Sequence, residues 1–180
     1  MKQLLVVVDY QNDFVSGALG FPGAEKLEAG IVEAVEATLA QGGFVLFTRD
    51  THAPDYLSTR EGAHLPIPHC IKGEAGHALY GRLHAYEQGT PPHTLVLDKP
   101  TFGSPDIAQA TERLCGGAPD AIALCGLVTD ICVLANAILL HTAFPTARVE
   151  VLAALSGSGN AEGHQKALDL LAGMGVSITG

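Results

Sequence analysis

A chain of 180 residues with 19 acidic and 10 basic side chains carries a formal charge of −9, so it offers no basic surface to nucleic acid or to an anionic membrane, and both are excluded as partners. Hydrophobic residues make up 47% and charged residues 16%, which excludes a disordered chain and allows a sizeable core. The length fits one domain, residues 1–180.

The first element is predicted at Leu4–Val8, an apolar, β-branched run typical of a strand covered on both faces. It is too short for a signal peptide or a membrane span, and Asp9 ends it, so the expected compartment is the cytoplasm. Helical spacing from Lys26 to Gln41 stops at Gly42 and Gly43. Strands follow at Phe44–Thr48 and Thr94–Asp98, then a short helix from Pro105 to Leu114 and a strand at Ala121–Cys125. An apolar helix from Asp130 to His141, a strand at Arg148–Leu152, a helix from Ala161 to Ala172 and a strand at Val176–Thr179 complete the order. Alternating strands and helices predict a three-layer α-β-α fold around a central, mostly parallel six-stranded sheet. The exception is Thr51 to His93, rich in His, Pro and Gly and without periodicity, which reads as a long functional loop.

Ligands of parallel sheets bind beyond the carboxyl ends of the strands. Asp9, Asp50, Lys99 and the Gly126–Cys132 segment follow strands and are expected on that rim. Cys132 stands in the first turn of a predicted helix, where the dipole and free amides lower a thiol pKa and can hold an oxyanion. Its bland reading is a small core hydrophobe. Asp9 reads either as a desolvated proton carrier or as a turn cap, and Lys99 as a partner for a thiolate or a solvated strand end. Asp50, His52 and the distant His69 can close on one metal, with Glu61 and His64 as further donors; the alternative is a histidine-rich loop in solvent. Cys70, Cys115, Cys125 and Cys132 contain no CxxC pair and are expected as reduced thiols.

Four segments carry a resemblance. Asp9-Tyr10-Gln11-Asn12-Asp13-Phe14, Thr48-Arg49-Asp50-Thr51-His52, Lys99-Pro100-Thr101-Phe102-Gly103-Ser104 and Cys125-Gly126-Leu127-Val128-Thr129-Asp130-Ile131-Cys132 resemble, in order, the motifs of the isochorismatase-like cysteine hydrolases, in particular their nicotinamidase-like, metal-dependent branch. The resemblance implies a catalytic triad of Asp9, Lys99 and Cys132. It also implies a cis peptide between Leu127 and Val128 that aims the amides of Val128 and Cys132 at an oxyanion, and metal ligation by Asp50, His52 and His69, with Glu61 a further candidate. The implied ion is zinc, with iron or manganese as alternatives, and no organic cofactor is expected.

The implied reaction is hydrolysis of a small amide through a Cys132 thioester, with nicotinamide giving nicotinate and ammonia. The alternatives are a carbamoyl or ureido amide cleaved by the same chemistry, or a non-catalytic metal- or ligand-binding α/β module. A redox-sensing thiol is a weaker idea, since no resolving CxxC partner is present. The chain departs from the branch in having no tryptophan, leaving Phe14 and Phe102 to flank a flat ring. A homo-oligomer, dimer or tetramer, is also expected from the resemblance.

Overall fold

The computed structural model describes residues 1–89 and 91–180; Thr90, inside the irregular segment, lies outside them. Among the described residues, six strands form one sheet: β1 (Gln3–Val8), β2 (Phe44–Asp50), β3 (Thr94–Lys99), β4 (Ala121–Leu127), β5 (Arg148–Gly157) and β6 (Ser177–Thr179). The helices are α1 (Asn12–Val15), α2 (Glu28–Ala40), α3 (Arg60–His64), α4 (Ile107–Cys115), α5 (Leu134–Ala143) and α6 (Ala161–Gly173). Strand order is β3-β2-β1-β4-β5-β6, and every pairing is parallel, where a mostly parallel sheet was expected.

Why β1 is apolar throughout is explained by its two faces. Leu4, Val6 and Val8 point into a core closed by α4, α5 and α6, while Leu5 and Val7 point into a second core with α1, α2 and part of the irregular segment. Successive side chains of a strand alternate in direction, so two covered faces require apolar residues at both phases. The chain starts in the middle of the sheet, winds outward to β3, then returns to β4 on the other side of β1. That reversal opens a crevice between the ends of β1 and β4, the usual ligand position in open parallel sheets.

Four strands run further than the apolar pattern suggested. Arg49 pairs with Asp98 and Asp50 with Lys99 across β2 and β3, and β4 continues to Leu127. Asp50 and Lys99 are therefore strand residues held by the ladder, where the sequence places them just beyond it. β5 also extends past Leu152, through an irregularity opposite Leu124 and Gly126.

The Thr51–His93 segment is more regular than its composition suggests. It contains α3 and tight helical turns at Tyr56–Ser58, Ala75–His77 and Gly81–Glu87, each too short to show periodicity. The predicted helix from Asp130 begins as a wide π turn, Thr129–Val133, before α5. No helix of the described residues is long and apolar enough to cross a membrane.

Candidate active site

Asp9 leaves β1 with a left-handed backbone, φ +45°, a conformation costing a non-glycine residue about 1–3 kcal/mol and concentrated at functional sites. Its side chain is fully buried. Oδ1 accepts from Thr48 Oγ1 at 2.7 Å. Oδ2 lies 2.6 Å from the Lys99 ammonium as an ion pair and has no aligned hydrogen bond among the described residues. Beside β1, Gly126 lies so close that a Cβ there would fall 2.1 Å from the Val8 carbonyl oxygen, and its φ is +115°. Only glycine lets β4 reach the crevice at that point.

Lys99, read as a rim lysine, is fully buried. Its Nζ touches Asp9, Asp50 Oδ1 at 3.3 Å, the Thr101 carbonyl at 3.0 Å and the Cys132 sulfur at 3.7 Å. Burial alone would lower its pKa; the charges of Asp9, Cys132 and Asp50 outweigh it and hold the ammonium protonated. Burial raises the Asp9 pKa, and Asp50 adds to this against the pull of Lys99.

The expectation of an acidified thiol is corrected. Burial pushes the Cys132 pKa well above its ordinary value, and Lys99 only partly offsets that. A helix end lowers a thiol pKa where solvent remains, whereas this sulfur is enclosed. At rest the thiol keeps its proton, with a carboxylate beside it to receive it.

The π turn has a local consequence. The Val128 carbonyl accepts from the amides of Ile131 and Val133, at 3.2 and 3.1 Å, and passes over that of Cys132. The Leu127–Val128 peptide is cis. Asn136, fully buried, donates to the Cys132 carbonyl at 2.8 Å and to the Phe102 carbonyl at 3.2 Å, and accepts from the Ser104 amide at 3.0 Å. It thus ties the cysteine turn to the lysine-bearing segment.

Asp50, His52, Glu61 and His69 converge, each offering one donor atom, all within 4.8 Å of one another. His52 Nε2 and His69 Nε2 stand 3.0 and 3.3 Å from Asp50 Oδ2, and 3.5 and 3.7 Å from Glu61 Oε1. His69 Nδ1 bonds the Ile67 carbonyl at 2.8 Å. That carbonyl can only accept, so Nδ1 donates to it and Nε2 is the ring nitrogen turned to the cluster, as second-shell bonds to ligating histidines usually arrange. Two imidazoles and two carboxylates around one point suit zinc, iron or manganese. His64 is not in this group.

The motif after Asp9 builds both halves. Gln11, fully buried, accepts from the Asp50 amide at 2.7 Å and donates to the carbonyls of Asp50 and His77 at 2.9 and 2.8 Å. Asp13 Oδ2 accepts from the Cys70 amide at 2.7 Å, fixing the residue after His69, whose own backbone is left-handed. Gln11, Asp13 and Asn136 received no role from the sequence. The first two lay in a recognised motif, but hydrogen bonds to distant main chain leave no periodic signal.

A cavity of about 180 Å³ opens on Cys132, lined by Phe14, Leu19, Asp50, Glu61, Leu65, His69, Phe102, Val128 and Ile131. Phe14 and Phe102 both line it; Leu19, Leu65 and Ile131 complete apolar walls that the sequence did not single out.

An all-parallel three-layer sheet with this crevice defines an α/β protein of the isochorismatase-like hydrolase fold. The chain belongs to the isochorismatase family: the family model described as Isochorismatase domain matches residues 3–180. It is 32% identical, over 93% of both chains, to an uncharacterized isochorismatase family protein, PncA, of Bacillus subtilis. It is similar to the crystal structure of nicotinamidase PncA from Bacillus subtilis, at 30% identity and TM-score 0.85, covering 100% of each chain. A pyrazinamidase of Pyrococcus horikoshii solved in complex with zinc shares the fold, at 24% identity and TM-score 0.83 over 99% of each chain.

Proposed function

We propose that this protein is a cysteine amidohydrolase that converts nicotinamide to nicotinate and ammonia. The observation that carries the reading is Lys99 Nζ, buried and shared between Asp9, at 2.6 Å, and the Cys132 sulfur, at 3.7 Å. Burying a lysine is costly unless it is paired, and this one brings together an acid that follows β1 and a nucleophile in the turn after β4. The similarity to a nicotinamidase of known structure supports the substrate, as does a narrow apolar cavity with two phenylalanines for a flat ring.

In the proposed reaction the amide enters with its carbonyl carbon over Cys132 Sγ. Asp9 Oδ2 takes the thiol proton while the Lys99 charge stabilises the forming thiolate. The sulfur attacks the carbonyl carbon, and the amides of Val128 and Cys132 hold the oxyanion. Asp9 returns the proton to the departing nitrogen, so ammonia leaves and a thioester remains. Water then attacks the thioester with Asp9 as base, and release of the carboxylate restores the thiol.

Asp50, His52 and His69, with Glu61 on the fourth side, would hold a divalent cation, for which we propose zinc. Once bound, such an ion supplies a Lewis-acid charge next to the cavity, able to take a ring nitrogen or to acidify a water.

Ammonia release from nicotinamide, followed for wild type and Cys132→Ala, tests the reading. The expectation is release by wild type and a loss of at least about 10³-fold in the variant. Activity at the wild-type rate without the sulfur rules out the covalent route. Release from ureido or carbamoyl amides alone would move the substrate and keep the chemistry.

A further inference from the structure

Beyond the cavity at Cys132 lies a second, outer chamber of about 370 Å³, lined by Arg60, Glu61, His64, Thr101 and Phe102. Glu61 and Phe102 line both spaces, so the outer chamber adjoins the inner one at these two side chains. Glu61 turns Oε1 toward His52 and His69. Arg60 and His64, four residues apart on α3 and therefore on one face of it, remain to give the outer chamber its polarity. Both are exposed, and neither makes an ion pair or a side-chain hydrogen bond among the described residues. Arg49 and Arg82, by contrast, are each held by carboxylates.

The α3 platform under them is fixed. Thr59 Oγ1 accepts from the Gly62 amide at 3.0 Å, the Tyr56 hydroxyl donates to the Leu65 carbonyl at 2.9 Å, and Gly62 packs directly on the Tyr56 main chain. In a chain of net charge −9, an uncommitted guanidinium at the mouth of the candidate site runs against the composition.

We propose that Arg60 and His64 form a carboxylate subsite at the mouth, whose ligand is the anionic product of amide hydrolysis. This rests on the amidase reading. Hydrolysis of a neutral amide creates a negative charge in the inner cavity, where Asp9 and Asp50 are already paired with Lys99 and Glu61 faces the two imidazoles, and an anion leaving past Glu61 and Phe102 meets Arg60. The guanidinium of Arg60 is the cation lining the path outward, and a charged residue at a rim acts on anions while hardly affecting neutral molecules. The subsite therefore favours departure from the inner cavity and gives the enzyme an affinity for free ring carboxylates that the matching amides lack. An amide bearing its own carboxylate would present the same group from the substrate side.

Calorimetric binding of nicotinate and benzoate, each beside its amide, to wild type, Arg60→Ala, Arg60→Glu and Arg60→Lys tests this. The measurements are made with zinc added and after chelation, and kinetics with a carboxylate-bearing amide give the substrate arm. Arg60→Ala is expected to weaken carboxylate binding about two- to fivefold more than amide binding, the range of an exposed ion pair. Arg60→Glu should weaken it further, Arg60→Lys should restore much of it, and the difference should shrink with added salt and survive chelation.

Equal losses for acid and amide overturn the proposal, as does a wild type that binds no carboxylate. So does carboxylate binding that vanishes on chelation and ignores Arg60, which would place the anion on the metal. A selective kinetic defect on the carboxylate-bearing amide, without one in product binding, would make the subsite one for substrate and overturn the product assignment. If no amide is hydrolysed at all, the reading of function fails, while the acid-versus-amide comparison at Arg60 is decided separately by calorimetry.

Discussion

Replacing Lys99 by methionine keeps an unbranched apolar stem in the same space and removes only the ammonium. In its place would stand two carboxylates, Asp9 and Asp50, fully and almost fully buried, whose oxygens now lie 2.6 and 3.3 Å from one Nζ. Removing one partner of a buried ion pair costs about 3–5 kcal/mol, because the remaining charge loses its compensation while staying out of water. With a urea m-value of about 2 kcal/mol/M for a chain of this size, the midpoint of unfolding should fall by about 1.5–2.5 M. The measurement belongs in chelator, so that no cation compensates Asp50.

The pH dependence gives a second reading. Without Lys99, the upward shift of Asp9 grows, and a carboxyl whose folded pKa is raised favours the fold below its unfolded value and loses that contribution as pH rises through its folded value. The deficit of Lys99→Met should therefore shrink on acidification. Adding Asp9→Asn should recover a large part of it at neutral pH, since the pair is coupled. A variant as stable as wild type, or a deficit that grows as pH falls, would refute the electrostatic account of this centre.

Gln11→Glu turns an amide that donates to the carbonyls of Asp50 and His77 into an acceptor facing two acceptors. We expect a loss of about 2–4 kcal/mol in urea unfolding and metal affinity lowered about tenfold or more in competition with a chromophoric chelator. Glu61→Gln should weaken metal binding less than His69→Gln in the same assay, because Glu61 stands further from the imidazoles than Asp50 does. His77 has its pKa lowered by burial and by Arg49, so its neutral form favours the fold above about pH 6.5. That contribution should drain away as pH falls, at up to about 1.4 kcal/mol per pH unit, and the slope should be missing from unfolding curves of His77→Gln.

How legible the site was in the sequence depended on the kind of constraint. Asp9 ends a run of five apolar residues, and a carboxylate there has few reasons to exist in a doubly covered strand. Its identity and position could both be read. Asp50 and His52 were legible for the same reason, as polar residues at the end of a buried strand. His69 was read as a distant third ligand from its residue type in the irregular loop, but 17 positions separate it from His52 and no periodicity links them, so its meeting with them could not be read from local pattern. Gln11 and Asn136 escaped because their partners are main-chain atoms far away in sequence, which any residue type would supply. The thiol was read with the wrong sign of pKa shift, since the helix start is visible in sequence and the enclosure of the sulfur is not.

Local pattern alone determined the strands, the longer helices, their alternation and thus the parallel α/β class, because apolar periodicity reports directly which faces are covered. Tertiary structure alone decided that β2 and β3 carry Asp50 and Lys99 inside the ladder, and that four donors meet within 4.8 Å. It also decided that Lys99 is shared by two buried acids instead of facing water. The physical reason is that a side chain's charge state and partners are set by what is packed around it, and that packing joins segments which carry no information about each other along the chain.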